Sequence, residues 1–157
     1  MTVAAADSSD DRSVAAQRLF HIERSKNANI VAYDVRLDGD GKPDSRAPVD
    51  VYWLGTDGSH YPLNGLQRRL AYGVKTRFHG PDVLVVNMVA NVGREIRVER
   101  IGGVFRAVTD IAGKPAILDR MYVKSVERAF LLPSVEFVDL FGFDLDSGAE
   151  RTERVLP

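Results

Sequence analysis

The chain shows its architecture most clearly between Arg94 and Asp110, in the stretch REIRVERIGGVFRAVTD. Ile96 and Val98 fall on one face of a strand among charged neighbours, which is the alternation of a half-buried strand. Gly102 and Gly103 follow, and glycines supply the positive φ angles that a two-residue hairpin turn requires. The stretch therefore predicts two antiparallel strands joined by a tight turn.

The same period continues on both sides of this hairpin. From Leu19 onward, short alternating segments are separated by turn residues roughly every eight to twelve residues, as in antiparallel sandwiches and barrels. Further strands are predicted near 116–124 and 134–145, and turns at Asp57-Gly58, Gly113-Lys114-Pro115 and Asp146-Ser147-Gly148. The side chains predicted to face the core on the first strands are Val31, Tyr33, Val35, Leu37, Val49, Val51 and Trp53.

One segment breaks the alternation. Leu63, Leu66 and Leu70 recur at helical spacing, Asn64 is a suitable N-cap, and Gly73 a suitable stop, so a short helix is predicted near 63–72. Residues 1–17 are rich in Ala, Ser and Asp and are predicted to be a flexible tail. We therefore expect an all-β, mainly antiparallel protein, with one β-barrel or β-sandwich domain over residues 18–157 and a single short helix.

Composition excludes several classes of function. The chain of 157 residues has 21 Lys and Arg against 22 Asp and Glu, so no overall positive charge attracts nucleic acid. Cysteine is absent, which excludes disulfides and thiolate chemistry. The longest apolar run, 83–90, contains Asn87 and is too short to span a membrane. The first residues lack the basic and apolar regions of a signal peptide, which leaves a cytoplasmic protein or a mature exported one.

Four ordered blocks of sequence resemble one bacterial family. They are FHIERSKNANIVAYD at 20–34, PVDVYW at 48–53, LQRRLAYGV at 66–74 and KPAILDR at 114–120. These blocks are similar to those of domain of unknown function family 4833, and the resemblance covers about residues 19–154. The family brings no activity with it. Its members often carry an export signal, so the resemblance implies a periplasmic or exported protein, with a cytoplasmic location as the alternative.

Two segments have the composition of metal sites. Asp38-Gly39-Asp40-Gly41-Lys42-Pro43-Asp44 resembles a calcium loop, but Lys42, Pro43 and Val49 stand where a ligand, a glycine and a bidentate Glu are needed. We expect a polar loop there. His21 and Glu23 share a strand face, yet no spacing brings further ligands to them. We predict no metal and no cofactor.

The remaining polar and aromatic candidates suggest two classes of function. The first is a module that binds a small molecule or a protein partner, with an apolar pocket lined by Tyr52, Trp53, Phe137 and Phe141. Asp139 lies among aromatic residues on its predicted strand face, where it is a catalytic acid, a ligand anchor or an ion-pair partner of Arg106 or Arg120, unless a bulge turns it toward solvent. Arg68 and Tyr72 place a guanidinium and an aromatic ring near the predicted helix, where they either hold a carboxylate or phosphate of a ligand or leave Arg68 on the solvated face of the helix.

The second class is an enzyme of unknown reaction that uses the polar run 21–27, which contains His21, Glu23, Arg24 and Asn27. Strand alternation counts against it, because His21, Glu23 and Ser25 are predicted on one face and Arg24 on the other. The predicted ligand-binding residues are His21, Glu23, Arg24, Asn27, Tyr52, Trp53, Arg68, Tyr72 and Asp139.

Overall fold

The computed structural model of the chain describes residues 15–128 and 131–157. In this part of the chain, eleven strands and one short helix follow one another as β1 Ala15–Arg24, β2 Ile30–Leu37, β3 Val49–Leu54, β4 His60–Pro62, α1 Gly65–Leu70, β5 Val74–Phe78, β6 Leu84–Met88, β7 Asn91–Ile101, β8 Val104–Ile111, β9 Lys114–Arg128, β10 Leu131–Asp144 and β11 Glu150–Val155. The all-β prediction is confirmed, and the strands form one mixed sheet that curls into a half-barrel.

The sheet branches at β9. One edge of β9 pairs antiparallel with β8 over residues 114–117 and then parallel with β1 over residues 120–123. The opposite edge pairs with β10, which pairs in turn with β11. On either side of the branch the strands run β1, β2, β3, β4 and β8, β7, β6, β5, each pair antiparallel. This branch lets the two arms of the sheet curl toward each other around one core.

The core fills the inner face of the half-barrel. Apolar residues alternate along β2 and through the middle of β7, so one face of these strands is buried, as the period of two requires. The predicted inward side chains of β2 and β3 are confirmed, because Val31, Tyr33, Val35 and Val51 are buried and Leu37, Val49 and Trp53 pack against them. Phe20 of β1 stacks on Tyr33, with ring centroids 4.5 Å apart.

The tight turn predicted in the Arg94–Asp110 stretch is confirmed. Ile101 pairs with Val104, and the two glycines between them have φ angles of 62° and 85°. The turn predicted at Gly113-Lys114-Pro115 lies one residue earlier, at Ala112-Gly113, because Lys114 and Pro115 already belong to β9. The strands predicted near 116–124 and 134–145 are longer than expected, and β11 was not predicted.

The predicted helix is present but shorter than expected. It spans the six residues of α1, and Asn64 and Gln67 form a reciprocal capping box at its start. The predicted apolar stripe is wrong at Leu66, which is exposed, whereas Leu63 ahead of the helix is buried. No helix in the described part of the chain is long or apolar enough to cross a bilayer. β1 begins at Ala15, and residues 1–14 of the predicted tail lie outside the described residues.

The outer face of β9, β10 and β11 carries arginines stacked on aromatic rings. The guanidinium of Arg154 lies 3.7 Å from the Phe137 ring centroid, and that of Arg120 lies 3.9 Å from the Phe141 centroid. Arg154 also donates two hydrogen bonds to Asp139, at 2.8 and 3.0 Å. The predicted partners of Asp139, Arg106 and Arg120, are therefore wrong, because β11 places Arg154 directly opposite Asp139. The hydrogen bonds from Arg154 lower the pKa of Asp139.

The carboxylate of Glu153 connects β11 to the turn between β8 and β9. Glu153 accepts hydrogen bonds from the backbone N–H of Ala112 at 2.8 Å and from Arg94 at 2.9 Å. The Ala112 hydrogen bond, with a smaller contribution from Arg94, lowers the pKa of Glu153. A carboxylate with a lowered folded-state pKa stabilises the protein above its unfolded pKa, and this stabilisation disappears as the pH falls through the folded pKa.

We expect Glu153→Gln to reduce stability at pH 7 and to cost less at about pH 3, because pH 3 lies below the usual Glu pKa of about 4.3 and part of the stabilisation is already lost there. Urea midpoints at the two pH values measure the effect. Glu150→Gln is the matched control, because Glu150 is exposed on the same strand and should change neither midpoint appreciably. Equal loss for Glu153→Gln at both pH values would contradict the prediction.

Candidate functional site

The inner face of the half-barrel ends at Arg24. Alternation along β1 places Arg24 on the same face as the buried Phe20 and Ile22, one step beyond the core. There its guanidinium lies 4.4 Å from the centroid of the Trp53 ring, a cation–π arrangement. We call this end of the half-barrel, around Arg24 and Trp53, the mouth.

Trp53 is held in place from two sides. Its indole N–H donates to Gln67 Oε1 on α1 at 3.1 Å, and the same oxygen accepts the N–H of Asn64 in the capping box. The Tyr72 ring meets the indole edge-on, with centroids 5.5 Å apart. The carbonyl of Tyr72 accepts a 2.7 Å hydrogen bond from the buried Tyr33 hydroxyl. The short helix therefore serves to fix the tryptophan at the mouth.

A cleft of about 260 Å³ opens beside this pair and is lined by Arg24, Asn29, Trp53 and Tyr61. Arg24 donates one hydrogen bond, to Asn27 Oδ1 at 3.1 Å. Its Nε is buried and has no hydrogen-bond partner among the described residues. A buried donor without an acceptor costs about 1–3 kcal/mol, so this arrangement calls for an explanation.

The other arginines that stack on rings are better satisfied. Arg154 has the carboxylate of Asp139, and Arg100 donates to two backbone carbonyls, those of Gly41 and Gly103. Arg120 lies within 4.0 Å of a carboxylate oxygen of Glu23. Arg24, by contrast, forms no ion pair with any carboxylate in residues 15–128 and 131–157 and has a single neutral acceptor.

A second depression lies on the outer side of the same end of the sheet. It has a volume of about 510 Å³ and is lined by Ser25, Lys26, Asn27, Lys124 and Ser125. The parallel pairing of β1 with β9 brings the two halves of this set together, because His21 to Arg24 pair with Arg120 to Val123. We call it the serine–lysine depression. Lys124 and Ser125 were absent from the sequence-based candidates, since no local pattern reveals this pairing.

The comparison with known families covers nearly the whole sheet. The model described as Domain of unknown function (DUF4833) matches residues 20–154, from Phe20 in β1 to Arg154 in β11. The chain belongs to the DUF4833 family. The resemblance predicted from four blocks of sequence is thereby confirmed. No curated protein and no solved structure matches the chain.

The structure of this DUF4833 domain distributes the predicted site residues over several places. Arg24, Asn27, Trp53 and Tyr72 meet at the mouth. His21 and Glu23 lie on the outer face, where His21 Nε2 is 3.1 Å from Glu23 Oε2. Ser25 Oγ accepts the backbone N–H of Ser125. Arg68 is exposed in the last turn of α1.

The predicted apolar pocket of Tyr52, Trp53, Phe137 and Phe141 is wrong. Adjacent residues on a strand point to opposite faces, so Tyr52 is on the outer face when Trp53 is on the inner one. The Tyr52 hydroxyl donates to Asp34 at 2.7 Å and accepts from Arg18 at 3.1 Å, while its ring stacks on His60. Phe137 and Phe141 lie under arginines on the outer face.

In the acidic loop 38–44, two carboxylates accept hydrogen bonds from nearby backbone amides. Asp38 Oδ1 accepts from the amides of Asp40 and Lys42, and Asp44 Oδ1 accepts from those of Arg46 and Ala47. These amide hydrogen bonds lower the pKa of Asp44. In the described part of the DUF4833 chain, no three His, Asp or Glu side chains converge to hold a metal ion.

Proposed function

We propose that this DUF4833 domain is a binding module that takes a small carboxylate with an apolar ring at the mouth. The observation that carries the proposal is the Arg24 guanidinium, which is stacked on Trp53, lines a cleft and has no carboxylate partner in the described residues. A planar guanidinium suits a carboxylate, because its parallel N–H donors match the two carboxylate oxygens.

The lining of the cleft supports the apolar part of such a ligand. Tyr61 is half exposed on the edge strand β4, opposite Trp53 in the strand register, so two aromatic side chains border the cleft. Asn29 adds one amide from the β1–β2 turn. The volume of about 260 Å³ is below the roughly 300–1,000 Å³ of pockets for drug-sized ligands, which favours a ligand of one ring.

Benzoate is a suitable probe, because Trp53 is the single tryptophan of the chain and its fluorescence reports on the mouth. We expect benzoate to change the Trp53 emission in a saturable way. Benzamide has the same ring without the charge and should bind at least about tenfold more weakly, since hydrogen bonds to charged groups contribute about 1.5–3 kcal/mol. Arg24→Gln should weaken benzoate binding by a similar factor.

Arg106→Gln is the matched control, because Arg106 is exposed on β8 and should leave benzoate binding unchanged. Arg24→Lys separates charge from geometry: it keeps the cation and removes the fork, so an affinity between those of the parent and Arg24→Gln is expected. Near-ultraviolet circular dichroism checks that each variant is folded. Equal binding of benzoate and benzamide, or full binding by folded Arg24→Gln, would exclude the proposed site.

The enzyme built on residues 21–27 stays a prediction. The candidate catalytic residues lie on different faces of the sheet, because His21 and Glu23 are on the outer face and Arg24 is at the mouth. The binding module is therefore the function that the geometry supports better.

A further inference from the structure

We infer that the serine–lysine depression is a separate site for a tetrahedral oxyanion of the phosphate or sulfate type. It lies on the outer side of the sheet end, and its positive charge comes from lysine rather than from Arg24 at the mouth. All five of its lining side chains are polar, two of them are lysines and none is acidic. The charge of Lys124 attracts anions to this concave surface, and the hydroxyl and amide groups around it are hydrogen-bond donors.

The backbone holds the depression in a defined shape. The N–H of Ser25 donates to the carbonyl of Val123 at 3.1 Å, and the N–H of Ser125 donates to Ser25 Oγ at 3.2 Å. These two bonds keep β1 and β9 together one residue beyond the end of β1. Because Ser25 Oγ is occupied as an acceptor, its hydroxyl proton is left to be donated to another group.

Asn27 is oriented in a similar way. Its Oδ1 accepts from the Arg24 guanidinium at 3.1 Å and from the N–H of Asn29 at 3.0 Å. The amide oxygen is therefore used within the turn, and the Nδ2 donor makes no hydrogen bond in the described residues. Because Asn27 lines the depression, its Nδ2 group is available there as a hydrogen-bond donor to a ligand.

Lys124 supplies the positive charge. It is half-buried on β9, and in residues 15–128 and 131–157 its ammonium forms no ion pair or hydrogen bond. The nearest acid along β1, Glu23, is engaged with His21 and lies within 4.0 Å of Arg120. Glu23 therefore does not neutralise the positive charge of Lys124.

The donor set distinguishes this site from the mouth. A lysine ammonium is a compact charge, and with a hydroxyl and an amide it donates from different directions, which matches the oxygens of a tetrahedral anion. The guanidinium at the mouth offers parallel donors that match a planar carboxylate. The two ends of the Arg24–Asn29 turn thus favour different anions.

The test uses the ¹⁵N-labelled full chain, titrated with inorganic phosphate at constant ionic strength. We expect saturable shifts of the amide resonances of residues 25–27 and 124–125. Lys124→Gln should weaken phosphate binding at least about tenfold, because it removes a charged hydrogen bond. Lys75→Gln, on the exposed edge strand β5, is the matched control and should bind phosphate like the parent.

A parallel titration with glycerol 3-phosphate identifies the source of the oxyanion: tighter binding than inorganic phosphate indicates a phosphate ester, and equal or weaker binding a free ion. Lys124→Gln should retain the benzoate response of Trp53, so failure of either site is recognised independently. The proposal is overturned if the parent shows no saturable shift beyond that of sodium chloride, or if folded Lys124→Gln binds phosphate as tightly as the parent.

Discussion

Replacing Gly142 by alanine should lower the free energy of unfolding by about 3 kcal/mol or more, an effect at the upper end for adding one methyl group. Gly142 lies on β10 at a register shift, opposite Leu118 of β9. A Cβ there would lie 2.2 Å from the carbonyl oxygen of Ile117 and 2.8 Å from Ile111 Cδ1. The backbone of the sheet must therefore move to accommodate any side chain.

Urea denaturation measures this effect, and Gly65→Ala is the matched control. A Cβ at Gly65 meets no atom within 4 Å, and the residue opens α1, where alanine is favoured. Gly65→Ala should therefore stabilise the protein by about 0.5–1 kcal/mol. If both variants unfold at the midpoint of the parent, the close approach of β10 to β9 at Gly142 is misplaced.

Phe20→Ala should lower the free energy of unfolding by about 3–5 kcal/mol, because it leaves a cavity in a core that cannot fully collapse. Phe20 is 2% exposed and stacks on Tyr33 at the centre of the inner face. Phe143→Ala is the matched control, since Phe143 is 39% exposed near the end of β10 and should cost less than about half as much. Similar losses for the two variants would contradict the assignment of inner and outer faces.

The local features of the fold were predictable from the chain, and the long-range ones were not. The hairpin of Arg94–Asp110 and the inward faces of β2 and β3 follow from alternation and glycine placement, so they could be recognised without a structure. β11 could not, because its sequence ERTERV has one apolar residue in six and looks like a polar tail. The parallel pair of β1 and β9 leaves no local pattern, and with it the branch of the sheet was missed.

The same division applies to the candidate site. Alternation correctly separated Arg24 from His21, and it should also have separated Tyr52 from Trp53, which cannot line one pocket. That Arg24 meets Trp53 could not be predicted, because β2 lies between their strands and the two side chains reach over it at the open end. The residues of β9 opposite Asp139 and Gly142 could not be predicted either, because bulges in β10 shift the register between the two strands.

The parallel pairing of β1 with β9 also bears on how the chain folds. The hydrogen bond between Ser25 and Ser125 joins residues 100 positions apart, whereas β5 to β8 pair with their immediate neighbours in the chain. Contacts of high sequence separation slow folding, since the loop must close before they stabilise anything. During synthesis the first strand leaves the ribosome long before its partner exists. Its apolar face, with Phe20 and Ile22, must therefore wait for most of the chain to be made before the half-barrel can close around it.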